Sequence, residues 1–328
     1  MSAARHDAVL EVEGLRKHFV TRKGFPRPKT VTVRAVEDVS FRIHPGEAFG
    51  LVGESGCGKS TAARALLRLI EPDAGRVKWR GEDVLAAGGA RLKALRRHMQ
   101  IVFQDPYSSL DPRQSIGSAL TEPMRVHGLA VGAEARQRAA DLLEEVGLPA
   151  AALDRFPHEF SGGQRQRIGV ARALTVEPEL IVADEPVSAL DVSVQAQVLL
   201  LLKELRERRG LAFLFVSHDL SVVRWFCDRV AVMYLGRIVE EGPAARVLAN
   251  PMHPYAQMLR DASPVPDPTR RGVLPRILGE IPSAANPPPG CPFHPRCPQA
   301  MEVCGRVMPR WTPMEGDGQG GVACHLHG

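Results

Sequence analysis

The sequence predicts an α/β fold: a core with a mainly parallel sheet, an antiparallel β subdomain beside it, a helical subdomain, and a small C-terminal Cys-rich tail. Three observations predict it. Short apolar runs at Ala48–Val52, Leu180–Ala183 and Leu211–Val216 have the length of buried strands, and helical patterns follow them. The chain before the first run is rich in strand-like segments rather than helical ones. Ala139, Leu142, Leu143 and Val146 show helical spacing in a stretch inserted between core strands.

Composition bounds the rest. A chain of 328 residues, 44% apolar, can bury one large core and a smaller appendage. Aromatic residues make up 5%, which argues against a surface built for stacking bases. No run of 18 apolar residues occurs, and the start Met1–Asp7 lacks the apolar segment of a secretory signal, so a soluble cytoplasmic protein is the expectation. The net charge is +5, carried by arginines spread along the chain without a block of five like charges. Nucleic-acid binding therefore has little support.

In chain order, Val9–Val12 reads as a first edge strand. Phe19 has a stacking reading and a core reading, and its position alone favours the core. Residues 21–30 carry Gly24, Pro26, Pro28 and four basic side chains, which predicts a surface loop. Val31–Val36 and Val39–Ile43 read as strands leading into the Pro45-Gly46 turn.

Gly53-Glu54-Ser55-Gly56-Cys57-Gly58-Lys59-Ser60-Thr61 follows the Ala48–Val52 strand, and a helical pattern with Ala62, Ala63, Ala65, Leu66, Leu67, Leu69 and Ile70 comes next. Strand, glycine-rich turn and helix make the setting of a phosphate-binding loop, hence a P-loop NTPase core. Backbone N–H groups line the turn, and the helix N-terminus adds a partial positive charge. Lys59 can reach the β- and γ-phosphates, and the Ser60 hydroxyl can bind Mg²⁺.

Val77–Trp79 and Ile101–Phe103 read as strands, the second ending at Gln104-Asp105-Pro106. A glutamine there could touch Mg²⁺ or an attacking water, or simply be a polar strand end. Residues from 113 to about 178 are expected to form the helical subdomain, with a helix over Ala133–Val146 closed by Gly147. Phe160 precedes Ser161-Gly162-Gly163-Gln164, where Ser161 sits at an N-cap position. Glycines inside a first turn are costly, so a close backbone approach is expected there. Leu180–Ala183 then delivers Asp184 and Glu185 to the C-terminal end of a strand, where α/β sheets place their sites. Asp184 suits Mg²⁺ through a water, and Glu185 suits a general base. Ser188–Asp191 opens a helix from Val192 to about Arg209, and Leu211–Val216 ends at Ser217-His218-Asp219. His218 could hold a γ-phosphate.

Together these motifs resemble the ATP-binding subunits of ABC transporters over about residues 8–245. Gly53–Ser60 resembles Walker A, Gln104 the Q-loop, and Ser161–Gln164 the signature, with Phe160 where many members have Leu. Ile181–Asp184 with Glu185 resembles Walker B and the catalytic glutamate, Ser188–Asp191 the D-loop, and His218 the switch histidine. The resemblance implies that ATP lies between two subunits packed head to tail. Phe19 and the Gly53–Thr61 loop would bind it in cis, and Ser161, Gly162, Gly163, Gln164 and Asp191 would act in trans. Catalysis would fall to Glu185, His218 and Gln104, with Mg²⁺ on Ser60, Gln104 and Asp184. Asn250–Tyr255, Gly279–Ser283, Asn286–Cys291 and Arg296–Pro298 resemble the tail of oligopeptide/dipeptide and nickel importers, and Glu185–Leu190 with the loop at 21–30 resembles the F-type subunit. The expected division is an ATPase domain over residues 1–248 and an importer extension over 249–328.

That extension is proline-rich from 264 to 289 and then carries Cys291, Cys297, Cys304 and Cys324. Four thiolates can hold Zn²⁺ or a [4Fe–4S] cluster, and this spacing is looser than that of common zinc sites. Importer ATPases that share the tail are associated with an iron–sulfur cluster, which the resemblance extends to these four residues. Cluster, zinc with His294 or His325 as further ligands, and inert thiols all stand as readings.

The function implied is that of an ATPase subunit energising uptake of dipeptides, oligopeptides or a similar small solute. Its implied partners are a second ATPase subunit, two membrane-spanning permease subunits and an extracytoplasmic solute-binding protein, with no nucleic acid. Its implied place is peripheral, at the cytoplasmic face of the inner membrane. The competing readings are a soluble ABC-type ATPase acting on nucleic acid or ribosomes, and a nucleotide sensor that does not hydrolyse. Such soluble proteins usually carry two cassettes or a coiled-coil insert, and Glu185 with His218 speaks for hydrolysis.

Overall fold

The computed structural model describes residues 8–23, 29–105, 109–262, 279–314 and 320–328. The centre of the basic loop at 21–30, Pro106 and the proline-rich stretch up to residue 278 lie outside the described residues.

The chain opens with β1 (Leu10–Lys23) and β2 (Lys29–Ile43). Leu10 and Val12 alternate inward, and Gly14, with φ +57°, makes a bulge after which Leu15 takes the buried side. The wholly buried β3 (Ala48–Val52) feeds α1 (Lys59–Leu66). This helix stops before the predicted pattern does, because the chain turns at Arg68, φ +53°. Next come β4 (Ala74–Trp79), β5 (Glu82–Asp83), α2 (Gly89–His98) and β6 (Met99–Val102). Three helices follow: α3 (Ile116–Val126), α4 (Gly132–Glu145) and α5 (Gly162–Leu174). Then β7 (Leu180–Asp184), α6 (Val192–Arg209), β8 (Ala212–Ser217), α7 (Leu220–Phe226), β9 (Arg229–Tyr234) and β10 (Arg237–Pro243) complete the main run. The C-terminal part holds α8 (Ala244–Ala249), α9 (Pro254–Ala262), β11 (Trp311–Pro313) and β12 (Gly321–Ala323).

The chain divides into two compact units. The first comprises Met1–Val9, Ile43–Glu47 and Ala86–Val216. In it β6, β7 and β8 run parallel, with Ile101 opposite Val182 and Val182 opposite Leu214. Every residue of β7 and β8 is buried, as continuous apolar strands covered on both faces should be. The helices α3, α4 and α5 pack around Ile116, Leu120, Leu143 and Ile168, all with no exposed surface.

The second unit comprises Leu10–Arg42, Ala48–Leu85 and Ser217–Gly328. Its strand order is β5-β4-β1-β2-β10-β9-β3, with β12 on β10 and β11 on β12. Pairing is antiparallel from β5 through β4 to β1 and parallel between β3 and β9. Two sequence expectations are corrected here. Val9–Val12 does not begin an edge strand, because β1 lies between β4 and β2 and the edge falls to β5. The segments 31–36 and 39–43 are one strand, β2, and β1 and β2 extend into the ends of the predicted loop at 21–30.

On β10, Glu240 is fully buried and accepts the N–H groups of Met252, at 2.9 and 3.0 Å, and His253, at 2.8 Å. His253 accepts the Tyr255 N–H at Nδ1, at 3.0 Å, while its Nε2 is buried without a hydrogen-bond partner among the described residues. Burial, reinforced by His327, pushes the His253 pKa down to about 3. The unfolded imidazole takes a proton near pH 6.5, and the folded one refuses it until about pH 3. His253 therefore contributes stability that is complete above about pH 6.5 and is lost as pH falls toward 3. The loss at about pH 5.5 is roughly 1.4 kcal/mol. Urea titrations at neutral pH and at about pH 5.5 should show a shallower pH dependence in His253→Gln than in the wild type. Glu240, whose pKa burial raises, acts with the opposite sign but equally in both proteins.

Candidate functional site

The phosphate loop grows from β3, which aims its backbone at the N-terminus of α1. Gly58 is the N-cap residue, with φ +109°, and as a glycine it has no side chain to cap the helix. A Cβ at Gly58 would run into the Ala35 carbonyl, so glycine is required by both space and conformation. Lys59 is 3% exposed and donates from Nζ to the carbonyls of Gly53, at 2.9 Å, and Glu54, at 3.1 Å. Ser55 and Gly56 are exposed at the loop crest, and Gly53 and Cys57 are buried. Ser60 and Thr61 are half-buried on the first helical turn. Burial pushes the Cys57 thiol pKa up, so it is a packing residue rather than a reactive one.

The loop is tied to the C-terminal part. The Glu54 N–H donates to the Tyr255 hydroxyl at 2.8 Å, and the Glu54 carboxylate receives both Arg296 nitrogens at 2.7 and 2.9 Å. Sequence reading missed Arg296 and gave Tyr255 no role; the only signal was that both stand in the importer-like tail segments. Phe19 on β1 is 37% exposed with Lys17 Nζ 5.6 Å from its ring centroid, so the core reading is corrected: the ring faces outward. His218 is also exposed, and its neighbour Asp219 caps α7 by accepting the Ser221 N–H at 2.8 Å.

In the first unit, β7 delivers Asp184, which is fully buried, and then Glu185. Glu185 adopts φ +48°, a left-handed conformation that a non-glycine residue holds only when its surroundings impose it. Its N–H is fixed by the Val216 carbonyl at 3.0 Å. Gln104, two residues past β6, donates from Nε2 to the Glu185 carboxylate at 3.1 Å and to the Ser188 hydroxyl at 3.4 Å. Ser188 in turn donates to the Glu185 carbonyl at 3.1 Å. Gln104, Glu185 and Ser188 are thus brought together from segments some 80 residues apart, as their separation of 81 positions records.

Ser161 caps α5 as the sequence predicts. Its hydroxyl accepts the Gln164 N–H at 3.3 Å, and the Gln164 side chain accepts the Ser161 N–H at 3.0 Å. Gly163 lies hard against Val194, so packing within the unit explains this glycine; Ser161 and Gln164 stay exposed. Asp191 stands at the N-cap of α6 without capping it, and it is exposed.

The four tail cysteines are free thiols, with Cys291, Cys304 and Cys324 buried. Burial raises the pKa of the Cys291 thiol to about 11, and the Cys291 N–H donates to the Cys304 carbonyl at 2.8 Å. Among the described residues, however, no group of three or more His, Cys, Asp or Glu side chains is arranged to hold a metal ion. The suggested extra ligands each have one ring nitrogen on a backbone carbonyl: His294 on Cys291 at 2.9 Å and His325 on Val307 at 2.9 Å.

No helix among the described residues is long and apolar enough to cross a membrane. The profile of the ABC transporter family matches residues 36–188, and that of the oligopeptide/dipeptide transporter C-terminal region matches 239–304. The chain is 52% identical to a probable peptide ABC transporter ATP-binding protein of Sinorhizobium fredii, over 98% of this chain and 90% of the relative. It is 48% identical to the oligopeptide transport ATP-binding protein AppF of Bacillus subtilis, over the full length of both. A solved dimer of the ATP-binding cassette MJ0796, bound to ADP and Pi after hydrolysis, superposes with a TM-score of 0.62 at 29% identity. That match covers 72% of this chain and 98% of the cassette. By these matches this chain belongs to the ATP-binding subunits of the ABC transporter family, in the branch carrying the oligopeptide/dipeptide transporter C-terminal region.

Proposed function

We propose that this chain is the F-type ATP-hydrolysing subunit of an importer for dipeptides, oligopeptides or a related small solute. The observation that carries the reading is the presence, in one chain, of the phosphate loop and the strand-end carboxylates with the oligopeptide/dipeptide C-terminal region. Residues 1–248 act as the ATPase domain, with the helical subdomain at about 113–178, and residues 249–328 as the importer extension. Phe19 offers an exposed ring to the adenine, and the Gly53–Thr61 loop takes the phosphates. Ser161, Gly162, Gly163, Gln164 and Asp191 serve the ATP bound by another subunit, and the exposure of Ser161, Gln164 and Asp191 supports that role.

Glu185 is the general base for the attacking water, and Gln104 orients its carboxylate. His218 holds the γ-phosphate. Ser60, Asp184 and Gln104 are the residues that would hold Mg²⁺, since each offers the oxygen donor this ion takes. The chemistry such an ion would supply is neutralisation of the negative charge on the phosphates. The partners are a second ATPase subunit, two permease subunits and an extracytoplasmic solute-binding protein, which places the chain at the cytoplasmic face of the inner membrane.

Deleting the gene should abolish growth on, and uptake of, labelled dipeptides or oligopeptides, restored by the wild type and not by Lys59→Ala. Unchanged peptide uptake in the deletion strain would overturn the peptide reading, and a nickel uptake defect would redirect it.

Within the same reading, Cys291, Cys297, Cys304 and Cys324 are proposed as ligands of a [4Fe–4S] cluster, with zinc as the alternative. The backbone hydrogen bond that joins Cys291 to Cys304 supports this; that no group of three or more candidate ligands is arranged for a metal among the described residues stands against it. Four iron and four sulfide per anaerobically purified chain are expected for the cluster. Protein free of iron and zinc, and colourless, sinks both versions.

A further inference from the structure

Glu54 is an acidic residue inside a loop built to receive an anion, and three groups hold it. Lys59 Nζ donates to its carbonyl at 3.1 Å, the Tyr255 hydroxyl accepts its N–H at 2.8 Å, and Arg296 grips its carboxylate with both terminal nitrogens at 2.7 and 2.9 Å. Two of the three come from the C-terminal extension, Arg296 from a position 242 residues away. The Arg296 side chain is 2% exposed and that of Glu54 20%, so the fork lies out of water. It is walled by Tyr234 and Phe293, whose ring centroids lie 5.9 and 5.8 Å from the guanidinium. Tyr255 is itself fully buried, 4.5 Å centroid to centroid from Tyr234, so the hydroxyl under Glu54 is fixed in place.

We propose that Arg296, with Tyr255, is a positioning residue of the nucleotide site: it cancels the Glu54 charge that would repel the phosphates and fixes the loop in its binding shape. This rests on the reading that the loop binds ATP. The extension is then part of the ATP site's scaffold, and removing the guanidinium leaves a carboxylate facing an incoming polyanion. Losing one partner of a buried, hydrogen-bonded charge pair is costly chiefly because the other is left unpaired. Removing both together should therefore be milder than removing Arg296 alone.

The test uses full-length protein and equilibrium binding of a fluorescent ATP analogue, together with steady-state hydrolysis. Arg296→Met is expected to raise the Kd about tenfold while kcat at saturating ATP changes less than about twofold. Adding Glu54→Gln to it should bring the Kd back to within about threefold of wild type. Tyr255→Phe, which removes only the hydroxyl, should raise the Kd by roughly threefold and keeps the idea testable if Arg296→Met does not fold. An unchanged Kd in both single variants overturns the proposal. So does a double variant as weak as Arg296→Met, since that pattern reports damaged packing rather than charge. Wild-type protein that fails to bind the analogue overturns the loop reading itself, a result separate from any contrast among variants.

Discussion

Glu185→Gln is expected to lower ATP hydrolysis by roughly 10³-fold, within the range for loss of a general base, with ATP binding retained. The substitution keeps shape and removes only the basic oxygen. Gln104 Nε2, now 3.1 Å from a carboxylate oxygen, can donate equally to the new amide oxygen, and the Val216 carbonyl still fixes the backbone N–H. Nothing in this arrangement binds nucleotide less well. In an assembly where two chains enclose ATP, the variant should accumulate a closed, ATP-loaded dimer, seen as an ATP-dependent shift in size-exclusion chromatography. Hydrolysis at the wild-type rate in this variant would sink the assignment of the base.

The largest stability effect is expected at Phe215, in the centre of β8. Its ring is fully buried and it pairs across the ladder with Ala183, the residue before Asp184. Phe215→Ala removes most of a buried ring beside a small neighbour that cannot fill the space, so a loss of about 3–5 kcal/mol is expected. Phe215→Leu keeps most of the volume and should cost about 1.5 kcal/mol or less. Urea titration of both variants measures the difference. A loss under about 1 kcal/mol for the alanine variant would mean that β8 is not packed as described.

What could be read from the sequence was what is local. The Gly53–Thr61 loop, the Asp184-Glu185 strand end and the Ser161 cap each declare themselves within ten residues, because turn, strand and cap chemistry act over that range. The span of α6, Val192 to about Arg209, was legible, and Gly210, φ +65°, closes it. Strand neighbours were not legible. Whether Leu10 and Val12 lie at an edge depends on β4, more than sixty positions away. The helix α2 was missed because Leu95 is its one buried residue, too little to impose a periodic signal. Of the site, the individual motifs were legible, while the hydrogen bond from Gln104 to Glu185 and the hold of Arg296 on Glu54 were not, because each is made by loop closure over long separations.

The pairing of β3 with β9 and the reach of Arg296 to Glu54 also carry a consequence for biosynthesis. During synthesis the phosphate loop is made early, but the strand beside it appears about 180 residues later and the arginine that neutralises it 242 residues later. Until β9 has been made, β3 is an apolar strand without that neighbour, the kind of exposed segment that chaperones bind. A nascent or truncated chain that stops before Arg296 should therefore bind nucleotide more weakly than one that includes it. Contacts this distant also predict slow folding, on the scale of non-local sheet proteins rather than helical ones.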